Sequence, residues 1–442
     1  MTVIELGQVG PPDAEPEPGP EFRFRRHTVS RAVAAGLAVL CAVGLGGAAR
    51  PAPPTLAESW SATVPVDSYP YAVQDIVLIN SGDPGRPEVR ALDAATGATR
   101  WAATHGEFPN GLSWSPENGR LYSALHTRTV QLTDGVAYFG TGTMAVDGHT
   151  GRTIWQRDGD QVGATAGEVL LGDRDDTGLI TRLHLVRATD ATELWQRPIT
   201  PVENAVVDNG RIVFDTTGGE ITTLRLSDGV PLATRRIDPP QAGTPGSSWQ
   251  PQVLNGLFYD IRRTPADTAV TAYRVDTLTE TWRATASGAV YVQDCGPVVC
   301  VSDTHLTIAL DPATGARRWQ LAESSIERID DGHLLVGSRD EQSAWTVVDS
   351  RTGATVATAP PGGAVLTVTG KRYLVVLRDV TAPVNHVAVA RWDPATGRQA
   401  LLGSLPGRTD TCSMTGPRLL CYGGGRLGVT DLVAAAGLTT AG

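Results

Sequence analysis

Lysine is nearly missing from this chain: Lys371 is its one representative, arginine supplies the remaining positive charge, and the net charge is −10. That balance argues against nucleic-acid partners, since phosphate contacts need a basic face. Cysteine is sparse too, five in 442 residues, with no adjacent pair and no CxxC spacing. The eight histidines are scattered, without HExxH or His-x-His, so no zinc signature exists. No Gly-x-Ser-x-Gly elbow or phosphate loop occurs. Gly423-Gly424-Gly425 precedes no helix that would offer amides to an anion. These absences predict no catalytic residue, no cofactor and no metal. Helical periodicity is also lacking after residue 55, whereas 49 glycines and 30 prolines suit a chain of strands and turns.

What the chain does contain is a recurring unit. Its clearest copy alternates Leu306, Ile308 and Leu310 on one strand face, turns through Asp311-Pro312-Ala313-Thr314-Gly315, and reaches Trp319. The Asp carboxylate can fold back onto turn amides, and Gly supplies the positive φ that closes a bulged hairpin. Asp93 and Gly97 lead likewise to Trp101, and Asp147 and Gly151 to Trp155. Asp349 with Gly353, and Asp393 with Gly397, repeat the turn but carry Ala357 and Leu401 in the Trp place. Degraded copies keep Trp195 with Ala191 for Gly, Trp282 after Leu278, and Ser227-Asp228-Gly229 with Ala233 where Trp would stand. Eight copies spaced mostly 37 to 40 residues apart match the period of a four-stranded propeller blade. The Trp is then packing between neighbouring sheets, not a reagent.

Residues 1–31 read as a cytoplasmic tail, Pro- and acid-rich at first and then studded with Arg23, Arg25, Arg26 and Arg31. Residues 32–49 carry no charge and are long enough to cross a bilayer as one helix. The arginine bias puts the tail inside and the ring outside the cell membrane. Gly47 and Ala49 also fit a signal-peptidase site, which would release a soluble product. A linker, 50–57, precedes the propeller, 58–432, and a tail, 433–442, follows it. The end of the chain supplies three strands of a last blade, and Trp60 looks like its fourth, so the ring closes by joining the two ends. Eight blades are expected, with seven and nine as the neighbouring closures.

Among short apolar runs, 75–79, Gly135–Phe139, 211–214 and 333–336 read as middle strands buried on both faces. About sixteen extra residues between Trp101 and Trp155 form a rim insertion, and a smaller excess near Pro239-Pro240 forms another. Trp114 and Trp249, placed on such loops, would suit glycan recognition. Asp173 to Gly178 is the nearest thing to a calcium loop, and reads more simply as a solvated turn. Cys295 with Cys300, and Cys412 with Cys421, each bracket a hairpin turn and are expected to form disulfides, which suits an extracytoplasmic ring.

The motif Asp-x-x-Thr-Gly-x-x-x-Trp after Ala-Leu, as in Ala91-Leu92-Asp93 and Ala309-Leu310-Asp311, resembles the pyrroloquinoline-quinone (PQQ)-like propeller repeat over about residues 58 to 432. The resemblance implies an all-β PQQ-like propeller. Some members are alcohol or sugar dehydrogenases using PQQ and calcium; others, such as the assembly lipoprotein BamB, are non-catalytic. The dehydrogenases' adjacent cysteine pair has no counterpart here. The expectation is therefore a membrane-anchored extracytoplasmic scaffold or sensor that binds a protein or cell-envelope partner; the alternative is a PQQ-dependent oxidoreductase.

Overall fold

In a computed structural model the described residues span 53–435. Short breaks fall at 67, 82–87, 105–106, 109–110, 133–134, 217, 238–247, 250, 264–267, 287–290, 303–305, 323–324, 338–343, 360, 369–372 and 382. The expected cytoplasmic tail and transmembrane segment lie outside the described residues. Among those described, no helix is long and apolar enough to cross a membrane.

Among the described residues every regular segment of any length is a strand, and the strands assemble into nine antiparallel blades, eight of four strands and one of five, plus one separate two-stranded sheet. In chain order blade 1 is Ser68–Thr104, blade 2 Ser113–Asp158, blade 3 Asp160–Val202, blade 4 Ala205–Arg236 and blade 5 Ser248–Thr285. Blade 6 is Tyr291–Leu321, blade 7 Ser325–Thr358, and blade 8 Ala364–Pro406. Blade 9 joins Cys412–Asp431 to Trp60–Thr63, with Trp60 opposite Val429 and Thr63 opposite Arg426. The ends of the chain thus share one sheet, as expected. The count of eight is corrected to nine, for two reasons. Each degraded copy of the repeat builds a full sheet of its own, and blade 9 needs no third turn, because its last two strands come from opposite ends of the chain.

Strands inside each blade read as they must to be buried on both faces: Val77, Leu78 and Ile79 of blade 1 are at most 1% exposed. Each such side chain contributes about 1.5–3 kcal/mol. Clusters of this kind fill the space between neighbours, for example Val77 and Ile79 with Leu420 and Leu427 between blades 1 and 9.

Gly135–Phe139 departs from its expected place. It pairs only with Arg128–Leu132, as a two-stranded hairpin between the second and third strands of blade 2. An apolar run of five residues looks the same in either setting, and only its partner distinguishes them. The extra residues of this blade therefore form structured hairpin as well as loop. Part of the expected linker is also structured. Leu56 N donates to Ser404 O (2.7 Å) and Ser404 N to Pro54 O (2.8 Å), which ties the entering chain to the outer strand of blade 8. At the far end Leu432–Ala435 is a single helical turn whose first amides, Val433 N and Ala434 N, donate to Asp431 Oδ1.

Both disulfides are formed. Cys295–Cys300 closes the hairpin at Gly296-Pro297 with Cα atoms 5.8 Å apart, and Cys412–Cys421 links directly opposed residues at 4.1 Å. Short loops limit each bond to about 2–3 kcal/mol.

Candidate binding surface

The repeat residues meet at the joints between blades. In blade 1, Asp93 Oδ1 accepts from the amides of Ala95 (3.0 Å) and Thr96 (2.8 Å) and from the Thr96 hydroxyl (2.9 Å). Gly97 then turns the chain at φ 73°. Asp147 with Gly151, and Asp349 with Gly353, build the same turn. Asp311 accepts from Ala313 N and Thr314 N, and Asp393 from Ala395 N. Arg100 holds Asp93 well below the usual carboxylate range, and Arg318 acts likewise on Asp311.

Each indole reaches across to the next blade and donates to the carbonyl one residue past its turn's first position. Trp60 reaches Ala94 O (3.0 Å), Trp101 Gly148 O (2.9 Å), Trp155 Ala188 O (2.9 Å) and Trp195 Leu226 O (2.7 Å). Trp282 reaches Pro312 O and Trp319 Ser350 O, both at 2.9 Å. The glycine lies flat under the ring. A Cβ on Gly97, Gly151 or Gly315 would come within 2.6 Å of Trp60, Trp101 or Trp282. These glycines are thus required twice, for a positive φ and for close approach.

One element of the joint was not anticipated from the repeat pattern. Two residues beyond the Trp position, Arg157 donates to Ala191 O (3.2 Å), Arg197 to Gly229 O (3.0 Å) and Arg235 to Leu278 O (3.0 Å). The signal was present in Trp155-Gln156-Arg157 and Trp195-Gln196-Arg197. Blade 4 has Ala233 and no Trp. There Arg235 also lies 4.7 Å over the Tyr273 ring, while Leu278, at φ 52°, is buried in the indole's place. Arg235→Ala is expected to lower stability by about 1–2 kcal/mol, with Arg235→Lys recovering part of it. Urea denaturation would check this, and an unchanged midpoint would remove the guanidinium from the joint.

The insertion in blade 2 shapes a broad hollow. A cavity of about 630 Å³ lies against Glu107, Phe108, Leu125, His126 and Gln156. A second, of about 420 Å³, shares Leu125, His126 and Gln156 and continues to Arg157, Asp158 and Glu193. Arg128 of the hairpin bonds Asp176 of blade 3 (2.8 Å), bridging the two blades. Trp114 lies not on a loop but in the strand Ser113–Ser115, half-buried against the blade 1–2 core. Trp249 lies in a two-residue strand opposite Arg262.

The quinone–calcium pair does not fit these residues. Four of the five cysteines are spent in two hairpin disulfides. In the Asp173 loop, Asp173 faces His184 (2.8 Å), Asp175 accepts from Thr177 and Leu179, and Asp176 faces Arg128, so the carboxylates point to protein partners rather than to one centre. Among the described residues no three His, Cys, Asp or Glu side chains converge on a metal position.

Asp215 is pushed up to about 6, first by burial and then by the carboxylate of Glu203. A raised carboxyl favours its protonated form in the folded chain. The resulting stability is present below about pH 4 and lost as pH rises through about 6. Asp215→Asn should therefore raise stability above pH 6 by about 1–2 kcal/mol and flatten that loss. Denaturation midpoints at pH 5 and pH 8 would check it; equal effects at both would count against it.

A family model described as the outer membrane protein assembly factor BamB matches residues 85–253. No curated protein matches the chain. Among solved structures, BamB from Moraxella catarrhalis is 14% identical, covering 72% of this chain and 99% of its own, with a TM-score of 0.39. A quinohemoprotein alcohol dehydrogenase from Pseudomonas putida is 11% identical, covering 74% and 72%, at 0.42. A computationally designed protein, Ika8, is 14% identical, covering 72% and 95%, at 0.43. Over the matched stretch, 85–253, and in its repeated turn-and-indole joint, this chain is similar to PQQ-like β-propellers.

Proposed function

We propose that this chain is a non-catalytic scaffold, anchored in the cell membrane by residues 32–49, whose ring binds a protein partner outside the cytoplasm. The observation that carries the reading is the hairpin Arg128–Phe139 on blade 2, set beside the two cavities that share His126 and Gln156. It lies within the stretch matched by a family described as an assembly factor. A rigid ring that presents one structured insertion and a mixed apolar and charged hollow suits protein contact. The two disulfides support the extracytoplasmic placement.

A peroxidase fused to the carboxy terminus of the full chain tests the reading by proximity labelling in cells. Labelling should occur outside the cytoplasm, on a small recurring set of envelope proteins. Replacing Arg128–Phe139 with a short Gly-Ser turn should remove members of that set. Cytoplasmic labelling, or a set indifferent to the hairpin, would defeat the proposal. So would turnover of an alcohol or sugar by the purified chain supplied with PQQ and calcium.

A further inference from the structure

We propose that the turn Asp393–Gly397 of blade 8 is a docking slot for a tryptophan side chain presented by a partner protein. Six joints of this ring define what such a slot holds. In each, an indole from the preceding blade lies over the turn and donates its N–H to the carbonyl one residue beyond the turn's first position. Blade 8 keeps part of this turn, with Gly397 at φ 69° and Asp393 accepting from Ala395 N (3.0 Å). Pro394 holds the sequence position in this turn that Pro312 holds in blade 6, where Pro312 O accepts from Trp282.

The preceding blade brings no indole to it, because Ala357 occupies that position on its outer strand. A Cβ built on Gly397 meets no heavy atom within 4 Å, whereas one on Gly353, a blade earlier, meets Trp319 at 2.7 Å. Gly397 is exposed, and its counterparts Gly229 and Gly315 are buried. The other Trp-less turn with a described side chain, in blade 5, fills itself with Leu278. Trp392 fills the core between blades 7 and 8 without covering the turn. What remains is a glycine floor beside a carbonyl acceptor, in an arrangement that this chain fills six times with indole. The chemistry it would recognise is a flat aromatic ring with an N–H donor at its edge.

The inference rests on the scaffold reading only for the source of the indole, and the slot can be probed alone. 5-Fluoro-N-acetyltryptophanamide titrated with the purified full chain should show saturable broadening of its fluorine resonance. The 1-methyl analogue, which has no N–H, should bind about 3- to 10-fold more weakly. Filling the slot from within should abolish broadening. Ala357→Trp does this by bringing an indole from the preceding blade, and Gly397→Asn, which keeps the left-handed turn, raises a side chain from the floor itself. No saturable broadening, undiminished binding of the 1-methyl analogue, or binding that persists in both folded variants would each overturn the slot. A probe that binds while proximity labelling finds no partner would instead sink the scaffold reading and leave the slot standing.

Discussion

Trp155→Ala should lower the stability of the ring by about 3–5 kcal/mol. The indole is 7% exposed, donates to Ala188 O at 2.9 Å, and packs tilted against Tyr122 with ring centroids 6.0 Å apart. Truncation leaves a cavity between blades 2 and 3 and strips a donor from a buried carbonyl. Two comparisons separate these effects. Trp155→Phe keeps most of the volume but loses the N–H, and should cost about 1–2 kcal/mol. Trp195→Ala removes a half-buried ring and should fall between the two. Urea denaturation followed by far-ultraviolet circular dichroism would give the order. A Trp155→Ala midpoint within error of the parent would refute the view that these rings hold the sheets together.

Replacing Glu58–Thr63 in the full chain with a Gly-Ser linker of equal length should be more damaging still, at least about 5 kcal/mol. The change removes the Trp60 indole from Ala94 O, the Glu58–Arg426 ion pair, and the outer strand of blade 9. It bares Gly97 on one side and the edge of Arg426–Asp431 on the other. Exposed strand edges recruit other chains. Oligomers on size-exclusion chromatography and loss of a single melting transition are expected. A monomer melting as the parent does would mean that the ring is not sealed there.

Asp, Gly and Trp of the repeat were legible because a positive-φ turn and a large flat side chain leave few other choices at those positions. The cysteine pairs were legible for a related reason: each flanks a hairpin turn, which fixes their separation. Other features depend on what a residue faces, and no local pattern carries that. Gly135–Phe139 has the composition of a blade strand and the partner of a hairpin. Trp114 has the setting of a loop aromatic and proves to lie in a short edge strand, partly packed against the core. The Trp-Gln-Arg repeat marks Arg157 and Arg197, but not what they bind, because the partners of Arg157, Arg197 and Arg235, 32 to 43 residues further on, are turn carbonyls with no side-chain signature. The absence of Trp at 357 was visible at once, but that it leaves Gly397 open required the turn to be placed against its neighbour.

Because residues about 370 positions apart share blade 9, as in the bond from Asp431 N to Ser59 Oγ, the ring has a fixed order of completion. Blades 1 to 8 can form in sequence as the polypeptide emerges, each docking on the one before. Trp60 and its strand must wait, unpaired, until the last thirty residues arrive. Such late, long-range pairing is slow, and it leaves an adhesive edge open throughout synthesis or export. Any factor that chaperones this chain has its main task at that edge.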